Sequence, residues 1–277
     1  MFENWFYVFG DKKFVVVFFI TFFIYFLGMV SGALRFAGIK TELITTSFSL
    51  LNVISLISRL SNLIQTPFLG SMVDLAYKNN SLEELKIKLH MIIFAGTLGY
   101  LVGFFFFTTF EKIFEKWIVL FDKDRNLVKT FLYFFNPRSW FFFVRNISKP
   151  VFYLSYKELK RVPSVVFWSS TLIGAFWTTG VLSAMYASVL APEFARTATI
   201  LSGIVNGVAT VLFTIFLDPI VANITDKVYN KQERIEYLYN VIWVIMVTSV
   251  LGTILAHFVL YPGAWIIAKV TIIFSKI

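Results

Sequence analysis

The sequence predicts an all-α polytopic membrane protein with about six transmembrane helices in two three-helix inverted-topology repeats. Three observations support this: an apolar composition, six apolar segments of bilayer length, and a match between the two halves of the chain. Of the 277 residues, 58% are hydrophobic, 34 are Phe and only 15% are charged. Soluble domains carry about 25% charged residues. We therefore expect a protein embedded in the membrane, without a large soluble domain.

Six apolar segments are long enough to cross a bilayer, which requires roughly 20 helical residues. They lie at about 14–34, 43–65, 89–110, 164–190, 197–217 and 237–260. We expect the second span to end before Pro67, because a proline pushes the preceding residue out of helical geometry. Residues 265–275 are too few to cross, and form either an interfacial tail or a kinked continuation of the sixth span.

A basic loop at 111–163 separates a first three-helix repeat, 1–110, from a second, 164–277. The loop has eleven Lys and Arg against five acids and is rich in aromatic residues. Its segment 131–143 is apolar but short, so we expect it to lie in the membrane interface, with a re-entrant hairpin as the alternative. Cytoplasmic loops are enriched in Lys and Arg. With this loop inside, the two sides hold 16 and 8 of these residues, and both termini lie outside the cytoplasmic membrane.

The two halves of the chain match when the sequence is shifted by 152 residues. The matched pairs are Gly28 with Gly180, Ser31 with Ser183, Pro67 with Pro219, Asp74 with Asp226, and Tyr77 with Tyr229. Each half has three spans, an odd number, so the second half enters the membrane from the opposite side. Inverted repeats of this kind build many alternating-access transporters, whose site lies at the repeat interface. The alternative is chance similarity between apolar sequences.

The second span carries a polar stripe at helical spacing: Thr45, Ser49, Asn52, Ser55, Arg59, Asn62 and Thr66. Gaps of three and four residues place these side chains on one face, and we expect the opposite face to be apolar. Unpaired polar groups in hydrocarbon cost several kcal/mol, so the stripe should face other helices or a water-filled path. The fifth span has a milder stripe: Thr199, Ser202, Asn206, Thr210, Thr214 and Asp218.

Arg59 is the strongest single candidate for substrate binding. An Arg at the centre of an isolated membrane helix costs about 3 kcal/mol or more, so it should face protein or water. Its planar fork matches the oxygens of a phosphate group. The alternatives are a structural ion pair with Asp74 or Asp218, or hydrogen bonds to backbone carbonyls.

Nine further residues are candidates for substrate binding: Arg35, Lys40, Asn52, Asn62, Gln65, Asp74, Arg196, Asn206 and Asp218. The basic ones lie at membrane boundaries, where they would bind either an anionic substrate or lipid headgroups. The amides could bind sugar or amide groups, or simply join helices through hydrogen bonds worth roughly 1 kcal/mol. Asp74, like Asp226, follows a proline by seven residues, and we interpret both as caps of the short segments after the turn, with substrate contact as the alternative for Asp74.

Several functional classes are excluded or disfavoured by composition. The chain has no Cys, and its two His, at 90 and 257, are too few for most metal or acid–base sites. No nucleophile motif, metal-ligand spacing or phosphate-binding glycine loop is present, so we expect neither an enzyme nor a cofactor or metal. We interpret His257 as a packed or hydrogen-bonded core residue, with a proton relay as the alternative. The net charge of +9 fits contact with anionic membrane lipids better than with nucleic acid.

Two stretches, RFAGIKT at 35–41 and SFSLLNVISLISRLSNLIQTPFLGSMVD at 47–74, resemble the Amj (alternate to MurJ) family of bacterial lipid II flippases. The resemblance implies a transporter in the bacterial cell membrane. Its substrate would be lipid II, an undecaprenyl pyrophosphate carrying a disaccharide-pentapeptide needed for peptidoglycan synthesis. The resemblance brings no list of site residues, so the candidates above are inferred from this chain alone.

Two other functions remain open. A small-molecule or ion transporter of the same architecture would need an enclosed cavity, whereas a flippase needs a lateral opening for the lipid tail. A non-transporting membrane scaffold would hold Arg59 in an internal ion pair. Six spans leave little room for so large a headgroup, so we expect either a homodimer or a groove open to lipid.

Overall fold

The computed structural model describes residues 7–124, 144–149, 151 and 153–275, and these residues form helices and turns without a strand. Six segments are long and apolar enough to cross a membrane, and we number them as spans 1 to 6. They are Lys12–Lys40, Ile44–Lys78, Leu82–Lys123, Ser164–Leu190, Pro192–Tyr229 and Ile235–Phe274. The prediction of an all-α protein with six spans is confirmed, and the arrangement as inverted repeats stays a prediction.

Two of the spans are interrupted. Span 1 consists of helices Lys12–Ser31 and Ala33–Lys40. Span 5 begins with a 3-10 turn, Pro192–Phe194, and continues as helices Ala195–Ile200, Gly203–Leu212 and Asp218–Tyr229. A π-helical turn, Phe213–Leu217, joins the last two of these. Such turns inside helices are frequent at functional sites, and this one leads directly to Asp218.

The other spans are continuous helices. They run over Ile44–Lys78, Leu82–Asp124, Ser164–Leu190 and Ile235–Phe274, with short helical turns at Val8–Gly10 and Tyr156–Leu159 outside the spans. Residues 131–143, predicted to lie in the interface, fall outside the described part of the chain.

Asp11 starts the first helix and ties it to span 3. Its carboxylate accepts hydrogen bonds from the backbone N–H groups of Lys13 and Phe14, and it pairs with Lys88 at 2.6 Å. Burial raises the pKa of this carboxyl, but the Lys88 pair and the two N–H groups outweigh that effect and hold the pKa below its ordinary value. The stabilisation is therefore present at neutral pH and is lost as the pH falls through the lowered pKa.

The predicted end of span 2 before Pro67 is wrong, because the helix continues through Pro67 to Lys78. A proline inside a helix removes one backbone hydrogen bond, but side-chain hydroxyls can compensate in membrane helices. Here, however, the acceptor freed by Pro67 is the Leu63 carbonyl oxygen, whereas the Thr66 hydroxyl donates to the Asn62 carbonyl oxygen at 2.8 Å. The helix therefore tolerates the lost bond without replacing it. Span 6 likewise continues through Pro262 to Phe274, as the continuation alternative predicted.

Span 3 also extends further than predicted, so that residues 111–124 are helical rather than part of a loop. The charged residue at its predicted end, Glu111, is buried. It pairs with Lys40 at 2.6 Å and accepts a hydrogen bond from the Tyr239 hydroxyl at 2.7 Å. Because these partners compensate the buried charge, a carboxylate at this position does not end the helix.

Glycines allow the closest helix contacts in each half of the chain. Span 1 packs mainly on span 3, and span 4 packs mainly on span 6. A Cβ at Gly99 would overlap the Phe22 carbonyl oxygen, and a Cβ at Gly252 would lie 2.5 Å from the Thr171 carbonyl oxygen. Small residues at such positions let membrane helices approach closely, which is a main source of their packing energy.

We expect Gly99→Ala and Gly252→Ala each to destabilise the protein by about 1–3 kcal/mol, because the new methyl group meets backbone atoms that cannot move aside. Gly70→Ala is the matched control, since nothing lies within 4 Å of its Cβ position. That variant should be neutral or slightly stabilising, because Ala favours helix by about 1 kcal/mol over Gly. Thermal unfolding of the three purified variants in detergent measures the difference. Equal melting temperatures would contradict the packing described.

Candidate functional site

The polar stripe of span 2 lies on the exposed side of its helix. Asn52, Arg59 and Asn62 are exposed, and Ser55 and Thr66 are partly exposed. The buried side of the same helix is mostly apolar, as predicted, although it also includes Ser47 and Gln65. The stripe therefore does not pack against other helices, which was one of the two surroundings expected for it.

Large apolar side chains lie beside the stripe on the same exposed face. Leu56 follows Asn52 by four residues and Leu63 follows Arg59 by four, so each pair is adjacent on the helix surface. Leu56 is 55% exposed and Leu63 is 69% exposed. The outer face of span 2 is therefore amphiphilic along its length, with a polar edge and an apolar edge.

Arg59 makes no hydrogen bond or ion pair with any residue that the structure describes. The sequence left open a structural ion pair between Arg59 and either Asp74 or Asp218. Asp218 pairs instead with Arg35, and Asp74 is exposed. The Arg59 guanidinium therefore has all of its donors available to an external anion.

Arg35 joins three spans at one buried point. Its residue is only 9% exposed, and Nη2 lies 3.1 Å from Asp218 Oδ1 in span 5. The guanidinium also lies 5.3 Å from the ring centroid of Phe48 in span 2. Nη1 is buried and has no hydrogen-bond partner among the described residues. This pair links the first half of the chain to the second.

Lys40, at the end of span 1, is held by two carboxylates of span 3. Its ammonium lies 2.6 Å from Glu111 Oε1 and 3.3 Å from Glu115 Oε1. The side chain of Lys40 is 44% exposed, whereas that of Glu111 is only 4% exposed. Lys40 is therefore an accessible cation that also neutralises a buried acid.

The amide candidates have different surroundings. Gln65 is buried, accepts a hydrogen bond from the Thr21 hydroxyl at 3.0 Å and donates to Asn62 Oδ1 at 2.8 Å. Asn206 is partly buried and packs so closely on span 4 that a Cβ at Gly180 would overlap its amide group. Gln65 thus connects the interior of the bundle to the exposed stripe.

Arg196 and Asp74 lie outside these clusters. Both are exposed, Arg196 at the beginning of span 5 and Asp74 near the end of span 2, and neither pairs with a described residue. Within the described ranges, no group of three or more His, Asp or Glu is placed to hold a metal ion.

The comparison with known families decides between the possible assignments. Residues 20–271 match the model of the family described as Amj, Alternate to MurJ. This chain belongs to the Amj family. A protein of Bacillus subtilis (strain 168) named Lipid II flippase Amj is 35% identical over 244 residues, which cover 86% of this chain and 89% of that protein. No solved structure matches the chain.

In this Amj family member, the candidate residues group into an exposed stripe and two ionic clusters, each built around one buried residue, Arg35 or Glu111. Sequence reasoning missed the partners of these clusters, chiefly Glu111, Glu115 and Phe48. The spacing of Glu111 and Glu115 places both carboxylates on one helix face and could have indicated a cation partner. No sequence signal indicated Phe48.

Proposed function

We propose that this Amj family member is a lipid II flippase of the bacterial cell membrane. It is a multi-pass transporter, not an enzyme, that moves the undecaprenyl-pyrophosphate-linked peptidoglycan precursor across the cytoplasmic membrane. The proposal is supported by the 35% identity to the Bacillus subtilis flippase, which extends over most of both chains. The family match over residues 20–271 supports the same activity.

The structural observation that supports it best is the amphiphilic exposed face of span 2. Of the most apolar 18 residues in each span, only 11% in span 2 and 17% in span 5 are buried, against 33% to 56% in the other four spans. A lipid-linked substrate needs a polar path for its headgroup beside an apolar surface for its tail. The polar edge at Arg59 and the apolar edge at Leu56 and Leu63 offer both on one helix.

In this proposal the pyrophosphate contacts Arg59, whose fork can hold two phosphate oxygens at once. Asn52, two turns before Arg59, and Asn62, one turn after it, contact the sugars and the peptide from the same stripe. Their exposed amides offer both donors and acceptors. Gln65 would orient Asn62 through the hydrogen bond between them.

The remaining candidates act at the two ends of the path. At the cytoplasmic end, Arg35 and Lys40 would attract the pyrophosphate. Each would exchange a carboxylate partner for it, and Arg35 would release Asp218. At the outer end, exposed Arg196 and Asp74 would contact the headgroup as it leaves. Asn206 would line the path from span 5.

We further propose that residues 1–110 and 164–277 are the two inverted repeats, joined by the basic segment 111–163. The equivalent glycine contacts of spans 1 and 3 and of spans 4 and 6 support this division. Phe22 and Thr171 are 149 residues apart, and Gly99 and Gly252 are 153 apart, close to the 152-residue shift between the halves. Spans 2 and 5, the least buried in each half, would then flank one shared path.

The rival functions fit the site less well. A scaffold would hold Arg59 in an internal ion pair, but Arg59 has none within the described residues. A small-solute transporter would enclose its polar residues, whereas the stripe of span 2 is exposed beside leucines. A lateral groove beside span 2 would accommodate the large headgroup in one copy of the chain, and a homodimer would enlarge the path further.

The path predicts a pattern of thiol reactivity that is easy to measure, because the chain has no native Cys. Single-cysteine variants at Asn52 and Asn62 should react quickly with a charged, membrane-impermeant maleimide. Ile64→Cys is the matched control, since Ile64 is 58% exposed but lies off the stripe. We expect it to react at least about tenfold more slowly, because a thiol in hydrocarbon stays protonated and unreactive. Equal rates at all three positions would exclude a water-filled polar edge.

The proposed activity is tested with the purified protein in liposomes containing fluorescent lipid II. Translocation is read as the fraction of label that becomes accessible to a membrane-impermeant quencher. Protein-dependent exchange of lipid II, without equal exchange of a labelled phospholipid, supports the proposal. Absence of exchange in well-incorporated protein contradicts it, and transport of a soluble anion instead would favour the small-solute transporter.

A further inference from the structure

The two histidines of the chain meet between spans 3 and 6. His90 Nδ1 lies 2.8 Å from His257 Nδ1, and the two rings are nearly parallel, with an interplanar angle of 15°. His90 Nε2 also lies 3.1 Å from the Tyr261 hydroxyl. His257 is therefore hydrogen-bonded, which agrees with the prediction, although the pair is partly rather than fully buried.

A contact between two imidazole nitrogens at this distance requires one shared proton. One Nδ1 donates and the other must be an unprotonated acceptor, since a protonated imidazole has donors only. When both imidazoles are protonated, two N–H groups and two positive charges face each other. Both rings can therefore be protonated at once only if they move apart. Proton binding and the distance between the two helices are linked in this way.

The pair lies in the seam between the two halves of the chain. The hydroxyls of Thr97 and Thr253 join spans 3 and 6 at 2.9 Å, and those of Tyr25 and Thr178 join spans 1 and 4 at 2.8 Å. His90 is eight residues from the beginning of span 3 at Leu82, or about 12 Å along the helix at 1.5 Å per residue. By the count of basic residues this is the outer end of the span, where protons arrive from the external water.

Within the ranges that the structure describes, few titratable or charged groups act on this pair. Tyr261 contacts His90 from span 6, and Tyr186 of span 4 packs its ring edge on Tyr261. Lys86 and Glu83 of span 3 act on Tyr261, but they form an ion pair with each other at 2.6 Å. Among the side-chain types in this cluster, imidazole is the one whose ordinary pKa lies nearest neutral pH.

We propose that His90 and His257 form a proton-binding site in the seam between the halves, and that binding of a second proton breaks the Nδ1 contact and separates spans 3 and 6 at the outer end. The site itself does not depend on the substrate. Its coupling to transport rests on the proposed function, because a rocking motion of the two halves must change this seam. External pH would then set the rate of translocation.

Nuclear magnetic resonance of the imidazoles tests the site directly, because only two histidine signals are present. Isotope-labelled protein in nanodiscs is titrated from about pH 5 to pH 8. We expect the titration midpoint of His90 to shift by about one pH unit or more when His257 is replaced by Gln, since the two groups titrate as one coupled pair. Thr253→Val, which removes a neighbouring hydrogen bond without a titratable group, should leave that midpoint unchanged. An unchanged midpoint in His257→Gln would overturn the proposal.

Lipid II exchange in liposomes tests the coupling separately. With the wild-type protein we expect the rate to change several-fold over the same external pH range, and with His257→Gln we expect this change to be lost. Thr253→Val should retain it. A pH dependence that survives in both His90→Gln and His257→Gln would overturn the coupling. If the wild-type protein moves no lipid II at any pH, the proposed function fails, while the titration still decides whether the proton site exists.

Discussion

Arg59→Ala is expected to abolish most lipid II translocation while the protein still inserts and folds. Arg59 is exposed and has no partner among the described residues, so its removal breaks no internal contact. The loss falls on the substrate, because hydrogen bonds to charged groups are worth about 1.5–3 kcal/mol each. We therefore expect the rate to fall by about 10- to 100-fold, at 1.4 kcal/mol for each factor of ten.

Two companion variants make this result specific. Arg59→Lys should be impaired as well, because a single ammonium does not reproduce the bidentate fork of Arg. If Lys performs as well as Arg, only charge is needed at this position. Lys78→Ala removes an exposed cation from the end of the same helix and should leave the rate close to wild type. Full activity of Arg59→Ala would remove Arg59 from the path and direct attention to Arg35, Lys40 and Arg196.

Asp218→Asn is expected to destabilise the protein by about 1–3 kcal/mol, because it takes the counter-charge from buried Arg35, while the 46% exposure of the Asp218 side chain lets water screen part of the pair. The substitution leaves the guanidinium of Arg35 buried without a counter-charge, while Nη1 already lacks a partner among the described residues. The thermal melting temperature in detergent measures this effect. Asp74→Asn is the matched control, because Asp74 is an exposed acid without a described partner. It should change stability by less than about 0.5 kcal/mol.

A double variant separates stability from function at this pair. Arg35→Met with Asp218→Asn removes the buried charge as well as its partner, so we expect most of the lost stability to return. Transport should not return, because the proposed attraction for pyrophosphate at the cytoplasmic end is also gone. Recovery of both properties in the double variant would show that the pair is only structural. An Asp218→Asn variant as stable as wild type would contradict the burial of Arg35.

Those features of the fold that depend on a single helix could be predicted from the sequence. Six spans follow from six apolar segments, and the stripe containing Asn52 and Arg59 follows from helical spacing alone. The errors came where a local rule is overridden by a partner elsewhere. Pro67 should end a helix by its local chemistry, but span 2 continues through it to Lys78, and Leu69, Met72 and Val73 beyond it are buried in the bundle. Glu111 ends an apolar segment, but Lys40 neutralises it within the bundle.

The site could be predicted only in part for the same reason. Arg59 was identified because an Arg in an apolar segment is conspicuous without reference to any other residue. The pairing of Arg35 with Asp218 spans 183 positions and that of His90 with His257 spans 167, and neither leaves a periodic signal. Which of several candidate acids meets which base depends on how the spans pack. Packing in turn depends on glycines such as Gly99 and Gly252, whose role appears only in three dimensions.

The central claim is that this chain carries lipid II across the membrane along the stripe of span 2. It is tested most directly by the amount of lipid II exposed on the surface of cells that have this protein as their only flippase. We expect surface lipid II with the wild-type protein and a loss of about 10- to 100-fold with Arg59→Ala at equal expression. Absence of surface lipid II in cells containing well-inserted wild-type protein would contradict the function itself.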